Sequence, residues 1–423
     1  MLEQLNGIAF LWLLLWTFLA LKNLVAGRRN SIFIVIIVHF LFSGIPLLLD
    51  IVIGQPTYSR FPGFRMSIDD ETTSLIYCLY ISAIPPFWWW LGRSKISNQS
   101  TTVPKSIISS SLLMPILYLL IISPLIVVLL APEPSIYFNY ALMTTEDIDI
   151  DVAEYYRYIS IATVLSLIGI TGILSSMHRI KLSIILFLLP WFILAVWLNG
   201  KRYIIAFAIF LFGYVFWSKG YLVGKKLIIA IAIAISLIGV FSYAYQVSFR
   251  ASIAQVANPD FFYENIRQDY GRDHVMKMTI FAELYPEKIQ ILNYRGESIV
   301  FNLTMFVPRS LWTDKPFTYA QYLTSAVFQT PPKYWDWGFT TSCLEEAIAN
   351  FSWFGMIIGP LIPLQICRVG DSSKNNTVAA LTTLNSSLML TVQLSAFVPL
   401  FFLWIILVVL TNKMNKKSRY NVF

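Results

Sequence analysis

Apolar blocks of about 20 residues recur along the whole chain, and they constrain its fold more than any other feature. A helix needs about 20 mostly apolar residues to cross the roughly 30 Å hydrocarbon core of a bilayer. The chain has 423 residues, of which 57% are hydrophobic and only 13% are charged. The alternating segments typical of a β-barrel are absent from the sequence. The sequence therefore predicts an all-α polytopic membrane protein.

Eleven blocks are long enough to be predicted spans, and the whole chain, 1–423, is predicted to be a single integral membrane domain. The first block is expected to stay in the protein as a span, because its basic residues follow the apolar run and no small-residue cleavage site is present. The predicted spans are Leu5–Val25, Ile32–Ile53, Ser74–Leu91, Ile107–Leu130, Ile159–Ser176, Leu182–Leu198, Tyr203–Trp217, Leu227–Tyr245, Cys343–Cys367, Val378–Leu394 and Val398–Leu410.

The distribution of charge predicts the orientation of the chain. Lysine and arginine are biased toward cytoplasmic loops. Placing the N-terminus outside puts the strongly basic loops in the cytoplasm together with a single acid, Asp371. The acidic runs at residues 69–71 and 146–151 then lie outside, as does the long segment 246–342 between the eighth and ninth spans. The C-terminus is predicted to be cytoplasmic.

Two cations interrupt the sequence LNGKRYIIA at residues 198–206, on the outer side in this orientation. Lys201 and Arg202 either snorkel toward lipid head groups or form part of an anion site. The long outer segment contains nine of the 31 basic residues, which favours an anionic ligand: Arg250, Arg267, Arg272, Lys277, Lys288, Arg295, Arg309, Lys315 and Lys333.

The long outer segment is expected to contain short helices, because a structureless loop of this length is improbable. Residues 261–286 have helix-compatible spacing of apolar and polar side chains, which predicts helices lying at the membrane interface. In RGESIVFNLTMFVPRSLWTDKP (295–316), Pro308 and Pro316 restrict the backbone on both sides of a cationic turn.

Two adjacent carboxylates open the ninth predicted span in CLEEAIANFSWFG, residues 343–355. Neighbouring residues on a helix point about 100° apart. We therefore expect that Glu345 and Glu346 do not both face the interior of the bundle.

Three short motifs in a fixed order carry a family resemblance. They are GKR after a span, P-R-x-L-W-x-D-K-P at residues 308–316, and E-x-x-x-N-F-x-x-x-G at residues 346–355. The chain resembles the Wzy-type O-antigen and oligosaccharide repeat-unit polymerases of bacterial inner membranes. Ser352 stands where such proteins often have glycine.

The resemblance implies a metal-independent glycosyltransferase with a GT-C-like bundle and no cofactor. Such an enzyme joins oligosaccharide repeat units carried on undecaprenyl pyrophosphate at the periplasmic face of the inner membrane, making O-antigen or a related surface polysaccharide. The implied N-terminus is periplasmic. The implied partners are the lipid-linked oligosaccharide, the bilayer, and a chain-length regulator and a flippase of the same pathway. Nucleic acid is not an expected partner.

A departing lipid pyrophosphate gains negative charge, so fixed cations accelerate its departure. Arginine suits this role because its planar fork binds phosphate oxygens and stays charged. The structural alternatives are an interfacial anchor for Arg250 and a salt bridge to Asp314 for Arg309. The residues predicted to bind pyrophosphate are Lys201, Arg202, Arg250, Arg309 and Lys315.

The acceptor hydroxyl loses its proton as it attacks the anomeric carbon, and a base with a pKa near neutral serves best. His274 and Glu346 are the predicted catalytic residues. A histidine has a pKa near neutral by itself, and partial burial can raise the pKa of a glutamate toward neutral. Their structural alternatives are a solvated or structural histidine and a charge that favours the helix dipole. Further predicted substrate contacts are Arg272, Asp273, Asn350 and Trp312, with Arg272 and Asp273 alternatively forming a local ion pair.

Two other functions are compatible with the sequence. An O-antigen ligase belongs to the same enzyme class, but the histidine and asparagine signature associated with that group is missing from the outer segment. A flippase or transporter of lipid-linked oligosaccharide predicts proline-broken spans with charges near the midplane. Prolines do interrupt several spans, while His39 is the nearest candidate for a midplane charge. No motif for a nucleotide or a metal is present, and the three cysteines are expected to be free.

Overall fold

The computed structural model describes residues 2–28, 30–93, 113–139, 150–177, 179–200, 202–222, 224–245, 259–307, 309, 311–335, 337–373 and 376–420. Within these ranges the secondary structure consists of helices and turns, without a strand. This confirms the all-α prediction.

We number the α-helices of the described residues in chain order. They are α1 (Leu2–Val25), α2 (Ser31–His39), α3 (Ile45–Val52), α4 (Pro62–Ile68), α5 (Glu71–Leu91), α6 (Leu113–Leu129), α7 (Pro134–Tyr137), α8 (Ile150–Ser176), α9 (Leu182–Asn199), α10 (Arg202–Ser218), α11 (Lys225–Tyr245), α12 (Pro259–Tyr270), α13 (Asp273–Leu284), α14 (Glu297–Thr304), α15 (Tyr319–Phe328), α16 (Cys343–Phe351), α17 (Gly355–Asp371), α18 (Asn376–Leu388) and α19 (Leu394–Tyr420).

Six helical segments in the described part of the chain are long and apolar enough to cross a membrane. They indicate a lipid bilayer environment, while the count of eleven spans, the GT-C-like bundle and the orientation stay predictions. The six segments are Glu3–Val25, Ser31–Val52, Glu71–Leu91, Tyr158–Ser176, Leu182–Asn199 and Cys343–Asp371; shorter apolar helices are Met114–Leu129, Phe207–Trp217 and Leu400–Val409.

The chain divides into two compact units. The first contains Met1–Ser100, Asn258–Ser373 and Leu381–Phe423, and the second contains Thr101–Ala257 and Lys374–Ala380. In the second unit α6 packs closely along α8, because a Cβ at Gly169 would lie 2.8 Å from the Leu117 carbonyl oxygen. At the end of α9, Gly200 has a left-handed φ of 59°, which is typical of a glycine that ends a helix. This conformation explains why the GKR motif begins with glycine.

A proline in α5 leaves a backbone carbonyl that a histidine of α2 satisfies. Proline has no N–H to donate to the carbonyl four residues earlier. Pro85 therefore leaves Ile81 O without its helical donor, and His39 Nε2 donates to this oxygen at 3.1 Å. The imidazole of His39 also packs edge-on against Trp88, with ring centroids 5.5 Å apart. The intramembrane histidine therefore has a structural partner.

The next proline in α5 is compensated in the same way. Pro86 leaves Ser82 O, and the indole Nε1 of Trp12 in α1 donates to it at 3.0 Å. In a bilayer no water is available to bond such a carbonyl, so a neighbouring side chain must do so. These two bonds fix α1, α2 and α5 against one another.

The second span is interrupted by a π-helical turn, Phe40–Gly44, just before Pro46. Pro46 leaves the Phe42 carbonyl without its helical donor. The backbone N–H of Arg272, which precedes α13, donates to Phe42 O at 3.1 Å. The guanidinium of Arg272 lies 5.0 Å from the centroid of the Phe42 ring. The break in this span is thus the place where the long segment after α11 attaches.

The long segment folds into helices α12–α15, which confirms that it contains short helices. Residues Asp273–Ala282 of α13 are all buried, because α4 and α5 cover this helix within the same unit. Helix α13 is therefore enclosed by protein, while its position at the membrane interface stays a prediction. The core around it consists of Tyr58, Phe61, Phe64, Ile68, Val275, Met278, Phe281, Ala282, Ile289, Ile291, Leu292, Tyr319, Tyr322, Leu323, Ala326, Val327, Phe339 and Ala349.

The ninth predicted span folds back on itself. Helix α16 ends at Phe351, a 3₁₀ turn follows, and α17 returns alongside it. A Cβ at Gly355 would overlap the Ala347 carbonyl, and a Cβ at Gly359 would lie 3.2 Å from Leu344 Cα. The predicted span Cys343–Cys367, which has the length and composition of a span, is therefore two packed helices and not one continuous helix, because the two glycines permit a close antiparallel hairpin.

The last two predicted spans also differ from the structure. The chain forms a turn after α18, in which the Thr391 and Val392 N–H groups donate to Leu388 O at 2.9 Å. The predicted span Val378–Leu394 therefore ends too late. The predicted span Val398–Leu410 lies within α19.

We predict that His39→Phe lowers the stability of the purified protein by about 1–3 kcal/mol, because it keeps a ring beside Trp88 but leaves Ile81 O buried and unbonded. Adding Pro85→Ala to this variant should recover much of the loss, since residue 85 then donates its own N–H to Ile81 O. Apparent melting temperatures in detergent micelles measure both effects. Strictly additive effects of the two substitutions would contradict the assignment of this bond.

Ser352, between α16 and α17, has a φ of 55° and a ψ of −144°, a conformation that strongly favours glycine. Such a residue stores about 1–3 kcal/mol of backbone strain. Its Oγ also donates to Glu283 Oε2 at 2.8 Å. We predict that Ser352→Ala, which removes the hydrogen bond and keeps the strain, is less stable than Ser352→Gly by about 1 kcal/mol. Equal melting temperatures of the two variants would show that the turn is not strained.

Candidate functional site

Glu346 is held by side chains of α14. Its Oε1 accepts a hydrogen bond from Ser298 Oγ at 2.8 Å and another from Asn302 Nδ2 at 3.0 Å. Asn350, one helical turn further along α16, donates from Nδ2 to Ser298 Oγ at 2.8 Å. Both of these hydrogen bonds fall on Oε1, and the backbone of Leu394 also bonds the carboxylate, which is thus held at the start of the hairpin.

Ser298 and Asn302 are absent from the sequence-based site. Their signal is the spacing of four residues within ESIVFN, which puts two polar side chains on one face of the helix. The E-x-x-x-N part of the family motif has the same spacing. Two short helices thus face each other through matching polar positions.

The two adjacent glutamates are both buried, with exposed fractions of 0% for Glu345 and 5% for Glu346. The expectation that only one of them faces the interior is wrong. Glu345 turns back along the helix, where its carboxylate accepts from the backbone N–H and the Oγ of Ser342. Ser342 and Glu345 form a capping box, so Glu345 starts α16 while Glu346 faces α14.

Lys315 closes the other end of α14. Its ammonium donates to Met305 O at 2.9 Å and to Val307 O at 2.8 Å, just beyond the last residue of the helix. Burial, and then the charge of Arg309, lower the pKa of Lys315. A cation bonded to the last carbonyls of a helix also favours the helix dipole. Lys315 therefore has a structural role as well as its predicted one.

Arg309 is exposed, and its guanidinium is positioned by the backbone of its own turn. Nη1 donates to Lys315 O at 2.7 Å and Nη2 donates to Pro316 O at 2.9 Å. The guanidinium carbon lies 4.2 Å from the centroid of the Phe317 ring. Its partners are thus two carbonyls and an aromatic ring instead of Asp314. Glu346 and this cationic turn are connected through α14.

A second polar cluster surrounds Arg267, where α12 ends and α13 begins. The buried guanidinium donates to Asp50 Oδ1 at 2.5 Å and to Asp273 Oδ2 at 2.6 Å. Burial by itself would raise the pKa of Asp273, and the Arg267 charge outweighs it and holds that pKa well below its usual range. Asp273 thus pairs with Arg267, whereas Arg272 donates to Gly271 O and Thr391 O at 2.6 Å.

His274 belongs to this second cluster. Its ring lies 4.7 Å from the centroid of Phe64 and 5.5 Å from that of Tyr58. Burial lowers the pKa of His274, opposed by Asp273, whose Oδ1 is 3.8 Å from Nδ1. The imidazole is therefore enclosed and neutral at physiological pH. Glu346 and Asn350 come together through α14, while Asp273 and His274 lie in a different group of contacts.

Several predicted residues fall beyond these two clusters. Lys201 and Arg250 lie outside the described residues, and the side chain of Arg202 at the start of α10 is not described. Their convergence with Arg309 stays a prediction. Trp312 is partly buried in the cationic turn, where its carbonyl accepts from Lys315 N at 3.1 Å.

Among the described side chains, no group of three or more His, Cys, Asp or Glu residues is arranged to hold a metal ion. The thiols of Cys78, Cys343 and Cys367 are free and buried. Comparisons with protein-family models, with curated proteins and with solved structures found no match for the chain. The family resemblance therefore rests on the three sequence motifs.

We predict that burial of His274 contributes a loss of stability as the pH decreases from 7 toward 5. The folded pKa of His274 is lowered, so below the unfolded pKa of about 6.5 the unfolded imidazole binds a proton that the folded one does not. The limiting slope is about 1.4 kcal/mol per pH unit. His274→Phe, which keeps a ring between Tyr58 and Phe64, should remove this contribution, so that the variant loses less stability than the wild type over this pH range. Identical slopes of melting temperature against pH in both proteins would contradict the burial of a neutral imidazole.

Proposed function

We propose that this protein is a polysaccharide polymerase, a glycosyltransferase that joins oligosaccharide repeat units carried on undecaprenyl pyrophosphate. One observation carries the proposal. A fixed carboxylate, Glu346, is bonded to Asn302 of α14, and the ammonium of Lys315, in the cationic turn that also contains Arg309, is bonded to Met305 O just after the same helix. An acid of α16 and two cations of the turn that follows α14, connected through this short helix, match the charges that develop when a sugar leaves a diphosphate.

In the proposed reaction a hydroxyl of the acceptor sugar attacks the anomeric carbon of the donor. The bond between that carbon and the diphosphate oxygen breaks, and its electron pair stays on the diphosphate. Glu346 accepts the proton of the attacking hydroxyl. Arg309 stabilises the negative charge of the departing diphosphate, for which its planar fork is suited. Lys201, Arg202 and Arg250 are proposed companions of Arg309.

The partners of Glu346 give α14 a positioning role in this reaction. Ser298 and Asn302 both donate to Oε1, so they orient the carboxylate before substrate binds. A base that is already oriented speeds the reaction most when the attacking hydroxyl binds in line with it. Asn350 donates a hydrogen bond to Ser298 and so orients Glu346 indirectly. The glycosidic linkage and its stereochemistry depend on the sugars bound there.

The proposed setting is the bacterial inner membrane, with the transfer at its periplasmic face. A ligase that transfers finished polysaccharide to lipid A core would use the same leaving group with a different acceptor. A flippase is the non-enzymatic alternative, and one contact favours it. Asp50, in the span interrupted by the π-helical turn, pairs with buried Arg267, and charges beside a broken span are typical of transporters.

The proposal predicts laddered glycan products when the purified protein is incubated with an undecaprenyl-pyrophosphate repeat unit and neither metal nor nucleotide. Glu346→Gln should lower the rate at least 100-fold, within the range of about 10²–10⁴ for loss of a general base. Arg309→Ala should lower it by a similar factor, because an oriented charge on the leaving group is lost. The rate at which longer products appear on gels over time measures both effects.

Asp69→Asn is the matched control for Glu346, since it removes an exposed carboxylate of the same unit. Lys288→Ala serves in the same way for Arg309. Both controls should keep the wild-type rate. If correctly folded Glu346→Gln still makes ladders at the wild-type rate, the assigned base is wrong. Transfer to added lipid A core without lengthening would favour the ligase, and movement of intact substrate across vesicles without new bonds would favour the flippase.

A further inference from the structure

The short helix α14 has its polar and apolar faces reversed relative to a helix at a water-exposed surface. Ser298 and Asn302 are buried against α16, while Leu303 is 72% exposed. In the turn after the helix Phe306 is 68% exposed. Large apolar side chains that face outward together mark a surface whose natural surroundings are apolar. The reversal indicates that α14 faces lipid.

The exposed apolar side chains continue beyond the helix to a cation. Leu311 is 80% exposed and stands two positions from Arg309, whose guanidinium is also exposed. Two of the five N–H groups of the guanidinium donate to Lys315 O and Pro316 O. We call Leu303, Phe306, Arg309 and Leu311 the α14 surface. It combines hydrocarbon contacts with a fixed positive charge at one edge.

The α14 surface is continuous with an apolar helix of the same unit. The ring of Phe306 lies 6.5 Å from the ring of Phe402 in α19. Phe402 is exposed within Leu400–Val409, one of the shorter apolar helical segments. Exposed apolar side chains of such a helix face hydrocarbon. The α14 surface therefore adjoins an exposed apolar side of α19, and Arg309 adds an exposed cation to it.

We propose that the α14 surface binds an anionic phospholipid of the bilayer, with the lipid phosphate at Arg309 and the hydrocarbon chain along Leu303, Phe306 and Leu311. The chemistry is complementary at both ends, because arginine binds phosphate through a planar fork and the leucine and phenylalanine side chains cover hydrocarbon. Phe317 stacks on the guanidinium from behind and keeps it in place. The phospholipid and the diphosphate of the proposed reaction would occupy this guanidinium in turn, and the inference itself does not depend on glycosyl transfer.

The inference is tested with the full-length protein purified in a non-ionic detergent and titrated with phosphatidylglycerol, with lipid-bound species counted by native mass spectrometry. Arg309→Ala and Leu311→Asn should each weaken the tightest lipid binding about 10-fold, since each removes one end of the contact. Leu311 is so exposed that its substitution leaves the fold intact. Lys288→Ala, which removes an exposed cation that lies over the Tyr285 ring and is not part of the α14 surface, should change the affinity less than about 2-fold.

A water-soluble anion separates a lipid site from a simple anion site. Inorganic pyrophosphate should displace the bound lipid only at concentrations at least 100-fold above the lipid dissociation constant, because it makes no apolar contacts. The proposal is overturned if pyrophosphate competes as tightly as the lipid, or if Arg309→Ala and Leu311→Asn both retain the wild-type affinity. If the wild-type protein binds the lipid but makes no laddered products, the result would support this inference and count against the proposed glycosyltransferase function.

Discussion

The fold depends on one constraint of the bilayer, which is that every backbone carbonyl in the hydrocarbon needs a donor from the protein. Prolines in the apolar helices leave carbonyls without their helical donors. In each case described here, a group from another part of the chain donates the missing bond. Ile81 O receives a bond from His39, Ser82 O from Trp12, and Phe42 O from the backbone of Arg272. The helices of the first unit are thus joined by polar bonds at positions where apolar packing gives little directional preference.

The last of these bonds connects the spans to the candidate site. Arg272 precedes α13, and α13 packs against α16, which carries Glu346. The hairpin of α16 and α17 then sets the distance between that glutamate and α14. Because its two helices touch at Gly355, the carboxylate sits on a short rigid element at the start of the hairpin. The carboxylate of the site is accordingly held by helix contacts, which suits a reaction that requires fixed charges.

The sequence predicted the parts of the fold that depend on composition. Blocks such as Leu5–Val25 and Leu182–Leu198 match α1 and α9 closely, because length and hydropathy decide where such helices form. It failed at the hairpin, since an apolar run has the same composition whether it is straight or folded back. It also missed the pairing of Asp50 with Arg267, which joins residues far apart in the sequence. At the site Glu346 was recognisable from its motif, whereas Ser298 and Asn302 became visible only through their contacts.

The bond between Arg272 and Phe42 has a consequence for how this protein tolerates mutation. Its donor is a main-chain N–H and its acceptor is a main-chain oxygen, so almost any amino acid at either position preserves it. Only proline at position 272 removes the donor. The bonds from His39 and Trp12, by contrast, disappear with a single side-chain change. Sequence drift can therefore alter much of this interface while the attachment of the long segment to the second span persists.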